Sequence, residues 1–286
     1  MRILFYLVAG YLLLTGFVWL IQRKMLYFPD PAPPISTVHR GNGLHLEPWP
    51  GKGADFRGYT GNLLPENSPA RGTVVVFHGN AGAASDRIYY PLALETRGYR
   101  VVLAEYPGYG GRSGELSEDA LIRDGRETAR RVLAEFGEPL LVWGESLGAA
   151  VAAGVAADRT LPVAGVVLIT PWDSLVNLAQ RRYWYLPVDW LLRDRYESRL
   201  YLDAYHGPVA VLAAEQDEII PSRHSQHLYD ALHEPKRHWI FQRAGHNSWP
   251  VDPQAAWWDE VLKWFEVEAQ PFSRQRTEEA TMVREP

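Results

Sequence analysis

Gly144-Glu145-Ser146-Leu147-Gly148 is a G-x-S-x-G pentapeptide, and what flanks it decides how the chain is read. Three fixed positions match by chance in roughly one chain of this length in ten, with Gly and Ser each near ~7% of residues, so the motif alone carries little. Its surroundings carry more. Pro139-Leu140-Leu141-Val142-Trp143 is a short apolar run of buried-strand character, and Ala149 to Ala157 holds only Ala, Val and one Gly, a good helix composition. Strand, tight turn and helix therefore follow in the order of a nucleophile elbow. In such an elbow Ser146 occupies a strained turn, and glycines at 144 and 148 admit neighbouring backbone where a side chain would clash. The competing reading is a glycine-rich loop with an incidental serine.

A serine hydroxyl is a weak nucleophile at neutral pH, so it needs a base, and the base needs a carboxylate to fix its tautomer. On a strand-elbow-helix scaffold the chain order is Ser, then Asp or Glu, then His. Pro208 to Ala214 is a buried-strand run, and the loop Glu215-Gln216-Asp217-Glu218 follows it, so Asp217 stands at the acid position with Glu215 and Glu218 as neighbours that compete. A helix over Ser222 to Leu232 and a strand over Arg237 to Gln242 come next, ending in Ala244-Gly245-His246-Asn247. Of nine histidines, His246 alone combines a strand end, a preceding glycine and a position after a plausible acid. His224, His227 and His233 fall on a polar helix, where solvated side chains are expected.

Acyl transfer also needs two N–H donors for the oxyanion, one from the residue after the nucleophile and one from the loop after an early strand. These are Leu147 and Asn80, the latter in Phe77-His78-Gly79-Asn80-Ala81-Gly82 at the end of the β-branched run Thr73 to Phe77. His78 has no Cys or second His at metal spacing and reads as a loop-shaping residue. No metal and no organic cofactor is implied.

With these residues in hand, the chain resembles the alpha/beta-hydrolase superfamily, and within it the single-pass, membrane-anchored branch described as serine aminopeptidase-like or alpha/beta-hydrolase-domain proteins. The resemblance rests on Leu26-Tyr27-Phe28-Pro29, the His78-Gly79-Asn80 loop, Tyr106-Pro107-Gly108-Tyr109-Gly110 with Ser113-Gly114, the elbow, Asp217 with Ile220-Pro221, and Gly245-His246. It covers roughly residues 26 to 265. Glu105, where this branch often has Asp, and Pro171-Trp172-Asp173, in place of a more usual Pro-Phe sequence, are departures that bear on pocket shape and specificity.

From Ile3 to Ile21 no residue is charged. Nineteen residues at about 1.5 Å each span ~28 Å, close to one hydrocarbon core, and the flank Gln22-Arg23-Lys24 lacks the small-residue site of a cleaved signal peptide. The expectation is an anchor over residues 1–24, a stiff proline-rich connector over 25–37, a catalytic domain over 38–267 and a disordered tail over 268–286. Arg2 and the amino terminus oppose Arg23 and Lys24, so charge sets no orientation. Apolar runs alternate with helical stretches, which predicts one doubly wound, mostly parallel α/β sheet: strands near 44–47, 56–60, 73–77, 100–105, 140–143, 163–169, 208–214 and 237–242, and helices near 84–97, 117–136, 146–157, 222–232 and 253–267.

Residues 171–207 form the expected helical cap, rich in aromatics. Trp172, Trp184 and Trp190 are candidate substrate-binding residues, with packing of a small cap as the equal alternative. Net charge is −5, from 29 Lys and Arg against 34 Asp and Glu, and no long basic run supports nucleic-acid binding. The expected chemistry is hydrolysis of an ester or thioester of a small-molecule or lipid acyl substrate at a membrane. An amide or small peptide is the alternative target, and a catalytically silent binding protein is the alternative from another class.

Overall fold

The computed structural model describes residues 1–30, 37–39, 43–65 and 69–268. Residues 31–36 of the expected proline-rich connector and all but the first residue of the expected tail lie outside the described residues. Short runs of Val, Leu and Ile bounded by glycine, proline or polar turns are too brief for helices and become strands. These are β1 (Phe28–Pro29), β2 (Val38–His39), β3 (His45–Trp49), β4 (Gly58–Thr60), β5 (Thr73–Phe77), β6 (Ala81–Gly82), β7 (Arg100–Ala104), β8 (Leu140–Glu145), β9 (Val163–Ile169), β10 (Val209–Ala214) and β11 (Lys236–Phe241). Nine of them form one sheet in the order β11-β10-β9-β8-β5-β7-β4-β3-β2, parallel from β11 to β7 and antiparallel beyond. β1 and β6 pair separately.

The helices are α1 (Arg2–Leu26), α2 (Tyr89–Leu94), α3 (Glu118–Phe136), α4 (Leu147–Ala156), α5 (Leu175–Arg182), α6 (Val188–Leu191), α7 (Ser198–Asp203), α8 (Arg223–Ala231) and a last one, α9, over residues 256–268. Because successive strand side chains point to opposite faces, Val75 and Phe77 join the core with α3 and α4, whereas Val74 and Val76 join the core with α2 and α9. Both faces are covered, which is why the central strands are continuously apolar. The stretch expected as one helix over 84–97 is instead a 3₁₀ turn (Ala84–Asp86), α2 and a second 3₁₀ turn (Glu95–Arg97) that ends at Gly98 in the left-handed region. Asp86 takes the Ala83 N–H and Arg87 the Ala81 carbonyl, so local side chains compete with a continuous helix there.

α1 is 25 residues long and is, among the described residues, the one helix long and apolar enough to cross a membrane. Its carboxyl-terminal half lies on the cap, which is built from α5, α6 and α7. Arg23 grips Asp194 bidentately at 2.8 and 3.0 Å, and Tyr11 donates to the Tyr185 carbonyl.

Candidate active site

Three side chains meet at the carboxyl-terminal ends of β8, β10 and β11, where an open parallel sheet gathers its loops. Ser146 follows β8 directly and holds φ 53°, ψ −118°, a left-handed conformation that costs a non-glycine residue about 1–3 kcal/mol and is kept only where the surroundings impose it. The surroundings do impose it: a Cβ on Gly144 would stand 2.1 Å from the Gly148 carbonyl oxygen, and one on Gly148 would stand 2.0 Å from that of Phe77. Ser146 Oγ lies 2.9 Å from His246 Nε2, and His246 Nδ1 lies 2.7 Å from Asp217 Oδ2. Asp217 Oδ1 accepts the Ile219 and Ile220 N–H groups at 2.9 and 2.7 Å, which fixes the carboxylate from behind. His246 and Asp217 are both buried.

The two carboxylates that compete with Asp217 in sequence are engaged elsewhere. Glu215 accepts the Arg243 N–H at 2.7 Å and Glu218 the His246 backbone N–H at 3.2 Å. Both brace the histidine turn, and neither meets the imidazole.

The loop after β5 is held by two buried glutamates that sequence reading left without a role. Glu145 accepts from Arg87 Nε at 2.7 Å, Tyr89 at 2.6 Å, Tyr90 at 3.2 Å and the Gly79 N–H at 3.3 Å. Burial alone would raise its carboxyl, but Arg87 and the tyrosine hydroxyls hold it below the ordinary value. Glu105 sits 2.9 Å from His78 Nε2 and accepts the Ala84 N–H at 3.0 Å, while His78 Nδ1 lies 2.7 Å from the Gly79 carbonyl. The departure at Glu105 is therefore accommodated beneath the loop after β5. Gly110, at φ 54°, makes room for it, since a Cβ there would stand 2.0 Å from Glu105 Oε2.

Asn80 is turned so that its carbonyl accepts from Phe28 N–H and Tyr109 and its side-chain amide donates to the Leu26 carbonyl at 2.8 Å. Its own N–H meets no acceptor among the described residues. The Leu147 N–H opens α4, where first-turn amides lack an intrahelical partner. Among the described residues no three His, Asp or Glu side chains converge as a metal centre would require.

The cap tryptophans part company. Trp172 is buried, with Nε1 donating to the Tyr196 carbonyl and its ring edge-on to Tyr196. Trp184 and Trp190 are 81% and 91% exposed. The polar-helix reading of the histidines needs correction: His224 is buried, its Nδ1 2.7 Å from Asp173, because it sits on the inner side of α8 against the start of the cap.

This fold, with an elbow serine facing a histidine-carboxylate pair, is the arrangement of the alpha/beta hydrolases, and the chain belongs to that superfamily. The alpha/beta hydrolase fold family matches residues 72–204. An uncharacterized protein of Mycobacterium tuberculosis is 37% identical over 247 residues, 81% of this chain and 83% of that protein. The lysophosphatidylserine lipase ABHD12 of Danio rerio is 30% identical over 182 residues, 57% of this chain and 48% of the lipase, so the chain spans about half the length of that relative. The crystal structure of the monoacylglycerol lipase of Paleococcus ferrophilus superimposes with a TM-score of 0.54 at 21% identity, covering 69% of this chain and 95% of that one, a likeness of fold. The chain is thus an alpha/beta hydrolase with lipase-like relatives.

Proposed function

We propose that the chain is a membrane-anchored serine hydrolase that cleaves carboxylic ester bonds, thioesters included, through an acyl-enzyme. His246 takes the Ser146 proton as Oγ attacks the acyl carbonyl, then gives a proton to the leaving group, and Asp217 steadies the imidazolium. The N–H groups of Asn80 and Leu147 receive the oxyanion, each contributing about 3 kcal/mol of transition-state stabilisation. Water enters after the leaving group departs and releases the acid by the same proton relay.

The observation that carries this reading is the unbroken line Asp217-His246-Ser146, at 2.7 and 2.9 Å, ending on a serine held at φ 53°. A helix-forming or purely packed serine has no reason to adopt that backbone. The anchor reading takes residues 1–24 as membrane-embedded and 38–267 as the catalytic unit with its cap over 171–207. It is supported by the charge-free run Ile3 to Ile21 and by the outward exposure of nearly all its apolar side chains. Lipases among the relatives favour esters of lipid acyl groups.

The test is a hydrolysis screen on purified full-length protein in detergent, across acetyl to long-chain esters, acyl thioesters and aminoacyl amides. Ester and thioester turnover that disappears in Ser146→Ala is expected. Turnover confined to aminoacyl amides would replace the ester reading with a peptidase one. Alkaline carbonate that strips full-length protein from membranes would remove the anchor.

A further inference from the structure

Between the cap and α1 lies an apolar cavity of about 380 Å³, open on one side and within the range of small-ligand pockets, roughly 300–1,000 Å³. One wall is the carboxyl-terminal half of α1, with Leu14, Phe17 and Ile21; the other is the cap, with Ala179, Leu186 and Leu192. Its amide and carboxylate groups are already engaged. Gln22 donates to the Leu191 carbonyl and accepts the Arg193 N–H, and Asp194 is held by Arg23 and the Glu118 N–H. The Tyr183 and Tyr185 hydroxyls complete the polar lining, so a charged ligand would find no ion-pair partner there, whereas an apolar chain would meet mostly apolar walls.

Three further observations say which apolar chain. The outer face of α1 is exposed and uncharged, with Leu13 and Leu20 at 75% and 68%, as suits a helix that carries hydrocarbon on its far side. From Leu14 to Leu26 the lined stretch of helix is about 18 Å long, close to the ~15 Å of one leaflet's hydrocarbon. Its inner end is Leu26, whose carbonyl is held by the side chain of Asn80, the residue whose N–H is assigned to the oxyanion. We propose that the tail of a single-chain bilayer lipid lodges between α1 and the cap, with its ester end toward Leu26 and Ser146. This substrate class rests on the ester-hydrolase reading above.

The experiment uses the full chain in phosphatidylcholine nanodiscs containing a lysophosphatidylcholine with a diazirine at the end of its palmitoyl chain. Ser146→Ala keeps the probe intact during photolysis, and adducts are located by mass spectrometry. Adducts on residues 183–192 of the cap are expected, falling about tenfold when the cavity is filled by Ala179→Trp or, from the opposite wall, Val18→Trp. Leu200→Trp, on the exposed side of α7, leaves them unchanged. With Ser146 restored, the same two fillings lower the ratio of palmitoyl to acetyl hydrolysis about tenfold, the loss of roughly two buried methylenes. Cap adducts that persist in both filled variants, or adducts confined to α1, would overturn the proposal. Cap labelling without ester hydrolysis by the wild type leaves the lipid site standing and removes the hydrolase reading. Hydrolysis that needs Ser146 without cap labelling does the reverse.

Discussion

The elbow and the cap treat buried surface in opposite ways. Around Ser146 the buried acids are saturated: Glu145 accepts from four donors, and Asp217 from two backbone amides besides facing His246. Between α1 and the cap an apolar cavity remains, and Trp184 and Trp190 stand in the open. The difference fits the roles proposed for the two regions. Charge that develops in a transition state is stabilised by groups already fixed in place, so the elbow is rigidly cross-linked. A region that takes up apolar groups keeps unpaired apolar surface between its cross-links, which here run from Arg23 to Asp194 and from Gln22 to Leu191 and Arg193.

The largest expected effect tests the rigid side. Ser146→Ala or His246→Ala should lower kcat roughly a hundred thousand-fold to a million-fold, and the double variant should fall no further, because the two act as one unit. Asp217→Asn should cost roughly ten thousand-fold. All three should melt near the wild-type temperature. Gly148→Ala should behave differently, because its methyl would stand 2.0 Å from the Phe77 carbonyl oxygen. Overpacking of this kind costs about 3 kcal/mol or more, and the expected readout is loss of soluble, cooperatively melting protein.

A charge pair in each region sharpens the contrast. Glu145→Gln leaves the partly buried Arg87 guanidinium without its carboxylate and turns one of the two acceptor oxygens into an NH2 donor facing other donors, so urea unfolding should show a loss of about 3 kcal/mol. Asp189→Asn breaks the exposed pair with Arg195 on the cap, and a change within about 0.5 kcal/mol is expected.

A graded effect, spread over several pH units, separates two buried acids. Glu145 is held below its ordinary value, whereas Glu95 is pushed by burial up to about 7, against the pull of the backbone amides of Leu63, Val101 and Gly61. A raised folded-state value means that the folded form keeps the proton longer. The contribution of Glu95 is therefore full below pH ~4.5 and is lost as pH rises through about 7, an order of 3 kcal/mol at most. Glu145 has the opposite sign, its contribution being lost on acidification below its unfolded value. Glu95→Gln should flatten the decline in melting temperature between pH 5 and 8, and an unchanged slope would show that Glu95 does not titrate there.

Strands were the most legible part of the sequence. Thr73–Phe77 and Val163–Ile169 appear with the expected bounds, since an apolar run closed by turn residues has few other options. Ser146, Asp217 and His246 were legible too, because each follows its strand in a fixed chain order, and the three side chains lie within hydrogen-bond reach. The hidden layer was the bracing. Arg87, Tyr89 and Tyr90 meet Glu145 across more than fifty residues, and Glu105 meets His78 across 27, so no local period announces them. His224 was misread for the same reason: the helix is polar on average, but its first turn faces Asp173, fifty-one residues earlier. The cavity beside α1 was equally invisible, because its two walls, residues 14–26 and 175–194, lie about 150 residues apart in the chain.

The central claim is that Ser146 is the nucleophile of a serine hydrolase, and covalent labelling by a fluorophosphonate probe tests it most directly. Full-length protein in detergent should acquire one adduct, located on Ser146 by mass spectrometry, and Ser146→Ala should acquire none while melting normally. Labelling at the wild-type level in Ser146→Ala, or a folded wild type that takes up no probe, would contradict the account.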